Sequence, residues 1–90
     1  MIKVAICDDS DIDREMLKGI VSYLMGDRGL DFEVDIYQNG EGLVTNYKNH
    51  PYDLIFLDIM MGEMDGIEAG KIIRRIDDNV EFVYCTSSSD

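Results

Sequence analysis

Tyr52-Asp53-Leu54-Ile55-Phe56-Leu57-Asp58 is the stretch that decides the architecture of this chain. Its four consecutive apolar residues, preceded by Pro51 and closed by an acid, read as a short strand covered on both faces, as in the centre of a parallel sheet. Such a strand needs neighbours on either side and layers above and below, and the flanking sequence supplies them. Residues 2–7 (Ile-Lys-Val-Ala-Ile-Cys) are rich in β-formers and also end abruptly in acids, Asp8 and Asp9. Phe32, Val34 and Ile36 alternate with Glu33, Asp35 and Tyr37, the pattern of an edge strand with one buried face. Val80-Glu81-Phe82-Val83-Tyr84-Cys85 makes a fourth strand that runs into Thr86-Ser87-Ser88-Ser89-Asp90.

Helical patterns separate these strands. From Asp11 to about Met25, Ile12, Met16, Leu17, Ile20, Val21 and Leu24 fall on one helical face, and Gly26 and Gly29 bracket the stop. Asn39-Gly40 makes a turn before a short helix carrying Leu43, Val44 and Tyr47. Asp65-Gly66-Ile67-Glu68 has the spacing of a capping box and opens a third helix, striped by Ala69, Ile72, Ile73 and Ile76 and broken by Asp77-Asp78-Asn79. Strands joined by helices of this length imply right-handed crossovers, a parallel sheet and a crevice at the strands' carboxyl ends. Asp8 and Asp9, Asp58, and Thr86 each follow a different strand, so all of them gather over one end of the sheet.

Ninety residues, 46% hydrophobic and 30% charged, make one small domain over residues 1–90, since so short a chain cannot divide its apolar surface between two cores. A formal charge of −11 sets the chain against direct nucleic-acid binding and against anionic membrane surfaces. No run approaches the roughly 18 apolar residues of a membrane span, and Met1-Ile2-Lys3-Val4 leads straight into strand without a signal-peptide pattern, so a cytoplasmic location is expected. Cys7 and Cys85 are too few for a disulfide framework and are expected to stay reduced. His50, the only histidine, falls in the loop Asn49-His50-Pro51 with no Cys or His beside it and reads as a loop residue rather than a ligand.

The acids carry the chemistry. Asp8, Asp9, Asp11 and Asp13 crowd one segment, where repulsion favours a bound cation or a protonated member, although the same acids suit a solvated turn and an acidic helix N-terminus. A carboxylate can attack a phosphoryl group to give an acyl phosphate, but both are anionic and positive charge must come between them. Magnesium, which takes one or two carboxylates and keeps waters and phosphate oxygens, fits Asp9 and Asp58 as direct ligands and Asp8 acting mainly through water. Thr86 is placed to donate its hydroxyl to a phosphoryl oxygen.

Ile6-Cys7-Asp8-Asp9-Ser10 resembles the acidic-pair motif of response-regulator receiver domains. Leu57-Asp58-Ile59-Met60-Met61 with Met64-Asp65-Gly66 resembles their phosphoacceptor segment, and Val83-Tyr84-Cys85-Thr86-Ser87 their switch strand. Order and spacing agree along the whole chain. The resemblance implies a flavodoxin-like α/β fold with parallel strand order 2-1-3-4, and a signalling module rather than an enzyme acting on a separate substrate. It implies phosphorylation of Asp58 by a sensor histidine kinase with Mg2+, and a further magnesium ligand in the Met60 backbone carbonyl. Cys7 before the acidic pair, Asp13-Arg14-Glu15 and Thr86-Ser87-Ser88 are similar to receivers that precede LytTR-type DNA-binding output domains, which would make the chain part of a transcription regulator.

Two departures stand out. Gly62 occupies a position where the family often has proline, which loosens the loop without removing a chemical group. A receiver runs to roughly 120 residues, so the fifth strand, the last two helices, the family's catalytic lysine and its aromatic switch residue are expected to be missing; Lys71 does not match that lysine. The alternative is a receiver that acts only in binding, or in dimerisation through an exposed fourth strand. A haloacid-dehalogenase-like phosphohydrolase using Asp9-Ser10-Asp11 is the more remote reading, since it lacks the Gly-Thr that should follow. A calcium loop starting at Asp9 fails because its sixth position is Arg14 and its twelfth Ile20. Met60, Met61 and Met64 read as loop packing rather than a soft-metal site.

Overall fold

The computed structural model describes residues 1–86; Ser87, Ser88 and Ser89 of the expected switch segment lie outside the described residues. Strands and helices alternate as β1 (Ile2–Cys7), α1 (Asp11–Asp27), β2 (Phe32–Tyr37), α2 (Gly40–Asn46), β3 (Leu54–Asp58), α3 (Gly66–Ile76) and β4 (Glu81–Cys85). The sheet is parallel throughout, in the order β2-β1-β3-β4. This is the flavodoxin-like arrangement, and its register aligns Cys7 with Leu57, Leu57 with Tyr84 and Asp58 with Cys85. The residues that follow these strands therefore emerge at one level, over the carboxyl end of the sheet.

Period-two alternation divides the central strands between two cores. Ala5, Cys7, Ile55 and Leu57 face a layer built from Leu43 and Tyr47 of the α2 segment and Ala69 and Ile73 of α3. Val4 and Ile6 face α1 through Val21, with Leu17, Met25, Val34, Leu54 and Phe56 packed around them.

The buried stripe of α1 is only part of the one expected: Leu17 and Val21 of that face turn inward and its other four residues do not. Arg14 and Val21 are buried and Leu17 and Met25 pack onto the core, whereas Ile12, Met16, Ile20 and Leu24 are 78%, 55%, 50% and 45% exposed. Two adjacent stripes satisfy the same helical period, and the Arg14 Nη1 donating to the Asp8 carbonyl oxygen (2.8 Å) holds the helix in the observed rotation. The helix ends at Asp27, between Gly26 and Gly29 as expected, and Gly29 just past the cap has a φ of 68°, the left-handed conformation that glycine adopts without strain. Asn39 is a helix cap rather than the first half of a turn; its side chain accepts from the Gly42 amide at 2.8 Å. At α3 the Asp65 half of the expected capping box is present, with Asp65 Oδ1 accepting from Glu68 N at 2.8 Å. Cys7 and Cys85 are free thiols on strands separated by β3.

Candidate functional site

Parallel pairing sets the floor of the site. Asp8 leaves β1 with its amide donating to the Tyr37 carbonyl oxygen (3.1 Å), and Asp58 ends β3 with the next amide, that of Ile59, donating to Cys85 (2.9 Å). Asp8, Asp9 and Asp58 then each offer a carboxylate oxygen within 4.8 Å of the others. Asp8 and Asp58 are buried, at 3% and 4% exposure, while Asp9 faces solvent.

Backbone amides orient the two buried acids: Asp8 Oδ1 accepts from Ser10 N (2.9 Å) and Asp58 Oδ1 from Met60 N (3.2 Å). These bonds do not offset the cost of gathering negative charge. Burial, then the facing Asp8 carboxylate, pushes Asp58 up from 3.8 to about 6, and burial also raises Asp8. The donor set is all oxygen, clustered, partly desolvated and carries surplus negative charge, which fits a hard divalent cation with water in its remaining positions. The side chain of Met60 is 68% exposed, and its backbone follows the turn that the Asp58 carboxylate anchors.

Thr86 is exposed at the end of β4 and shares with Asp8, Asp13, Leu17 and Cys85 the wall of a cavity of about 120 Å3. A wider concavity of about 430 Å3, lined by Lys3, Pro51, Asp53 and Asn79, contains none of the expected site residues. Asp11 takes no part in the carboxylate cluster; it lies in the first turn of α1 and pairs with Arg14.

Three supporting contacts were not foreseen. Arg14 ties α1 to the backbone of Asp8, and its place at three and seven residues before Leu17 and Val21 was the available signal. Gly66 lies against the backbone of Asp58 and Ile59, with its amide donating to the Ile59 carbonyl oxygen at 3.2 Å. Cys7 Sγ meets Met61 Sδ at 3.7 Å beneath the loop; Met61 is buried and Met64 packs on the same core, as expected of loop packing, whereas Met60 is not packed. A side chain at Gly62 would meet nothing within 4 Å, so this loop does not depend on glycine there.

His50 lies in its expected loop but is not without candidate co-ligands. Its Nε2 faces Glu33 (3.8 Å) and Asp35 (3.6 Å) of β2.

Comparison with known proteins gives a consistent picture. The family described as "Response regulator receiver domain" matches residues 4–90. The chain is 35% identical over 85 residues to the chemotaxis protein CheY of Bacillus subtilis, covering 94% of this chain and 67% of the relative. It is 36% identical over 88 residues to that of Listeria monocytogenes, covering 97% and 69%. It thus spans about two thirds of the length of these chemotaxis relatives. Among solved structures, the response regulator TrrA from Thermotoga maritima in complex with Mg(2+)-BeF superimposes with a TM-score of 0.83 at 28% identity, covering 99% of this chain and 72% of that one. A chain of the CheX-CheY-BeF3-Mg+2 complex from Borrelia burgdorferi superimposes at 0.72 and 30% identity, covering 94% and 61%.

Proposed function

Since the chain belongs to the response regulator receiver domain family, we propose that it is a phosphoacceptor module that takes a phosphoryl group on Asp58 from a sensor histidine kinase. The observation that carries this reading is the convergence of Asp8, Asp9 and Asp58 within 4.8 Å at the carboxyl ends of β1 and β3. An oxygen of Asp58 forms the new bond to phosphorus while the bond to the donor atom breaks, its electron pair leaving with the donor. Mg2+, held by Asp9, Asp58 and the Met60 carbonyl with Asp8 acting through water, would neutralise the charge between carboxylate and phosphoryl group. The Met60 amide engages Oδ1 of Asp58 at 3.2 Å, so the other carboxylate oxygen would be the one to attack. Thr86, across the cavity from α1, would donate its hydroxyl to a phosphoryl oxygen and so transmit the change to β4. A DNA-binding output domain outside this sequence would read that change; the Mg-BeF complex of the TrrA neighbour supports the metal assignment.

Acetyl phosphate with Mg2+, followed by mass spectrometry, tests the assignment. One phosphoryl group should appear on Asp58 and be absent from Asp58→Asn; a group on Asp9 or Thr86 with Asp58 unmodified would overturn it.

A second reading has its own observation. β4 is an edge strand among the described residues, with Val83 and Tyr84 41% and 42% exposed. An open edge of this kind favours pairing with a second copy, which would make the chain a dimerisation module.

A further inference from the structure

We propose that Glu33, Asp35 and His50 form a second cation site, for a divalent transition metal of the zinc class, separate from the Asp8–Asp9–Asp58 cluster. Each residue offers a donor atom within 4.8 Å of the other two. Glu33 and Asp35 project from the same face of β2, two residues apart, and the loop between α2 and β3 brings His50 over them.

The spacing distinguishes a metal site from an ion pair. Nε2 of His50 lies 3.8 Å from Glu33 Oε1 and 3.6 Å from Asp35 Oδ2. Charge-assisted N–H···O bonds close to about 2.8 Å. Two ligands that each sit about 2.1 Å from a tetrahedral zinc ion stand about 3.4 Å apart, which is near the observed separation. Neither carboxylate is neutralised by a lysine or arginine among the described residues; Lys3, the register partner of Glu33, makes no ion pair with it.

One aromatic ring orders two of the three ligands. Tyr52 stacks on the His50 imidazole, with ring centroids 4.8 Å apart, and donates its hydroxyl to Asp35 Oδ2 at 2.7 Å. Tyr37, bonded to the Tyr52 hydroxyl at 2.7 Å, and Asn46, which donates to Tyr37, extend this support. Orientation of metal ligands by hydrogen-bonded neighbours is the usual construction of such sites. His50 is not otherwise a satisfied structural histidine: Nδ1 is buried with no hydrogen-bond partner, so its polar neighbours are the two carboxylates facing Nε2. One imidazole with two carboxylates selects zinc, cobalt or nickel over magnesium, and three protein ligands leave a position for water. Side-chain exposures of 35% for His50, 45% for Glu33 and 39% for Asp35 give an ion access without unfolding.

The test is calorimetric titration of ZnCl2 into the whole chain with excess Mg2+ present to occupy the Asp58 cluster, repeated with CoCl2 followed by visible absorption. About one equivalent of zinc should bind, and cobalt should give the d–d bands of a nitrogen–oxygen site. His50→Gln and Glu33→Gln should each weaken binding by about tenfold or more, and Asp58→Asn should leave it unchanged. Both substitutions are at partly exposed positions, and circular dichroism checks their folds. No binding at millimolar zinc, or equal affinity in parent and His50→Gln, would overturn the proposal. Binding lost only in Asp58→Asn would overturn it too, by assigning the zinc to the other cluster.

Discussion

Gly66 and Asp58 touch backbone to backbone: a Cβ on Gly66 would stand 2.9 Å from the carbonyl carbon of Asp58, closer still to its oxygen, and 3.1 Å from Cα of Ile59. The first turn of α3 is thereby set directly on the segment that carries the buried carboxylate.

Gly66→Ala should destabilise the fold by about 1–3 kcal/mol, because rigid backbone rather than a flexible side chain must yield. Urea unfolding measures the loss. The amide resonances of Ile59 and Met60 should shift more than those of β2, and an unchanged spectrum with full stability would refute the contact.

The raised Asp58 should make apo-protein stability fall with pH. Its folded value of about 6 lies above the ordinary 3.8, so between these values the folded state holds the extra proton. This group's contribution is most favourable at low pH and is lost as pH rises through about 4 to 6. Asp58→Asn should therefore gain on the order of 1–3 kcal/mol at neutral pH without metal. Mg2+ affinity should drop as pH falls through about 6, since proton and cation compete. A flat Mg2+ affinity from about pH 5 to about pH 8 would contradict this competition.

Arg14→Met keeps much of the buried stem while removing the bond to the Asp8 carbonyl oxygen. A loss of about 1.5–3 kcal/mol is expected for a buried hydrogen bond from a charged donor. Because Asp8 is then free to move, Mg2+ affinity should weaken by about tenfold. Calorimetry with Mg2+ checks this, and wild-type affinity would show that Arg14 only supports the helix.

Tyr47→Phe removes a hydroxyl that donates to Asp77 Oδ2 (2.5 Å), lies 3.1 Å from the Tyr52 carbonyl oxygen and accepts from the Tyr52 amide (3.3 Å). The buried amide is left unpaired, at a cost of about 1–3 kcal/mol. The hydroxyl also holds Asp77 below its ordinary range, so it contributes stability present above about pH 4 and lost on acidification. The variant's urea midpoint should accordingly fall less steeply with acid than the parent's.

At the open edge of β4 the only charge is Glu81, so the 90-residue chain should self-associate. Sedimentation over a concentration series checks this, and a sharp monomer throughout would exclude edge pairing. Val83→Lys should disfavour pairing by placing a charge at a 41%-exposed position.

The strand order and the carboxylate cluster were legible because strands that end in acids, joined by helices, can direct those acids to only one end of a parallel sheet. The rotation of α1 was legible only in part: the expected face held Leu17 and Val21, which pack onto the core, but also Ile12, Met16, Ile20 and Leu24, which are exposed. Arg14, whose bond to the Asp8 carbonyl oxygen turns the helix toward Leu17, Val21 and Met25, carries no apolar signal. His50 escaped for a different reason. Its carboxylate neighbours come from a strand 15 or more residues away, on the face whose polar residues suggested solvent. That face instead carries the tyrosine network of Tyr37 and Tyr52.

The two sulfurs of Cys7 and Met61, 3.7 Å apart with neither side chain open to solvent, fill one shared volume between the first strand and the loop after Asp58. A bulkier residue at position 7 has room only if position 61 becomes shorter, and a smaller one leaves a void unless position 61 grows. Substitutions at the two positions should therefore be non-additive by about 0.5–3 kcal/mol. A library that varies them together would recover pairs of near-constant summed volume, whereas varying either one alone would make both positions look intolerant of change.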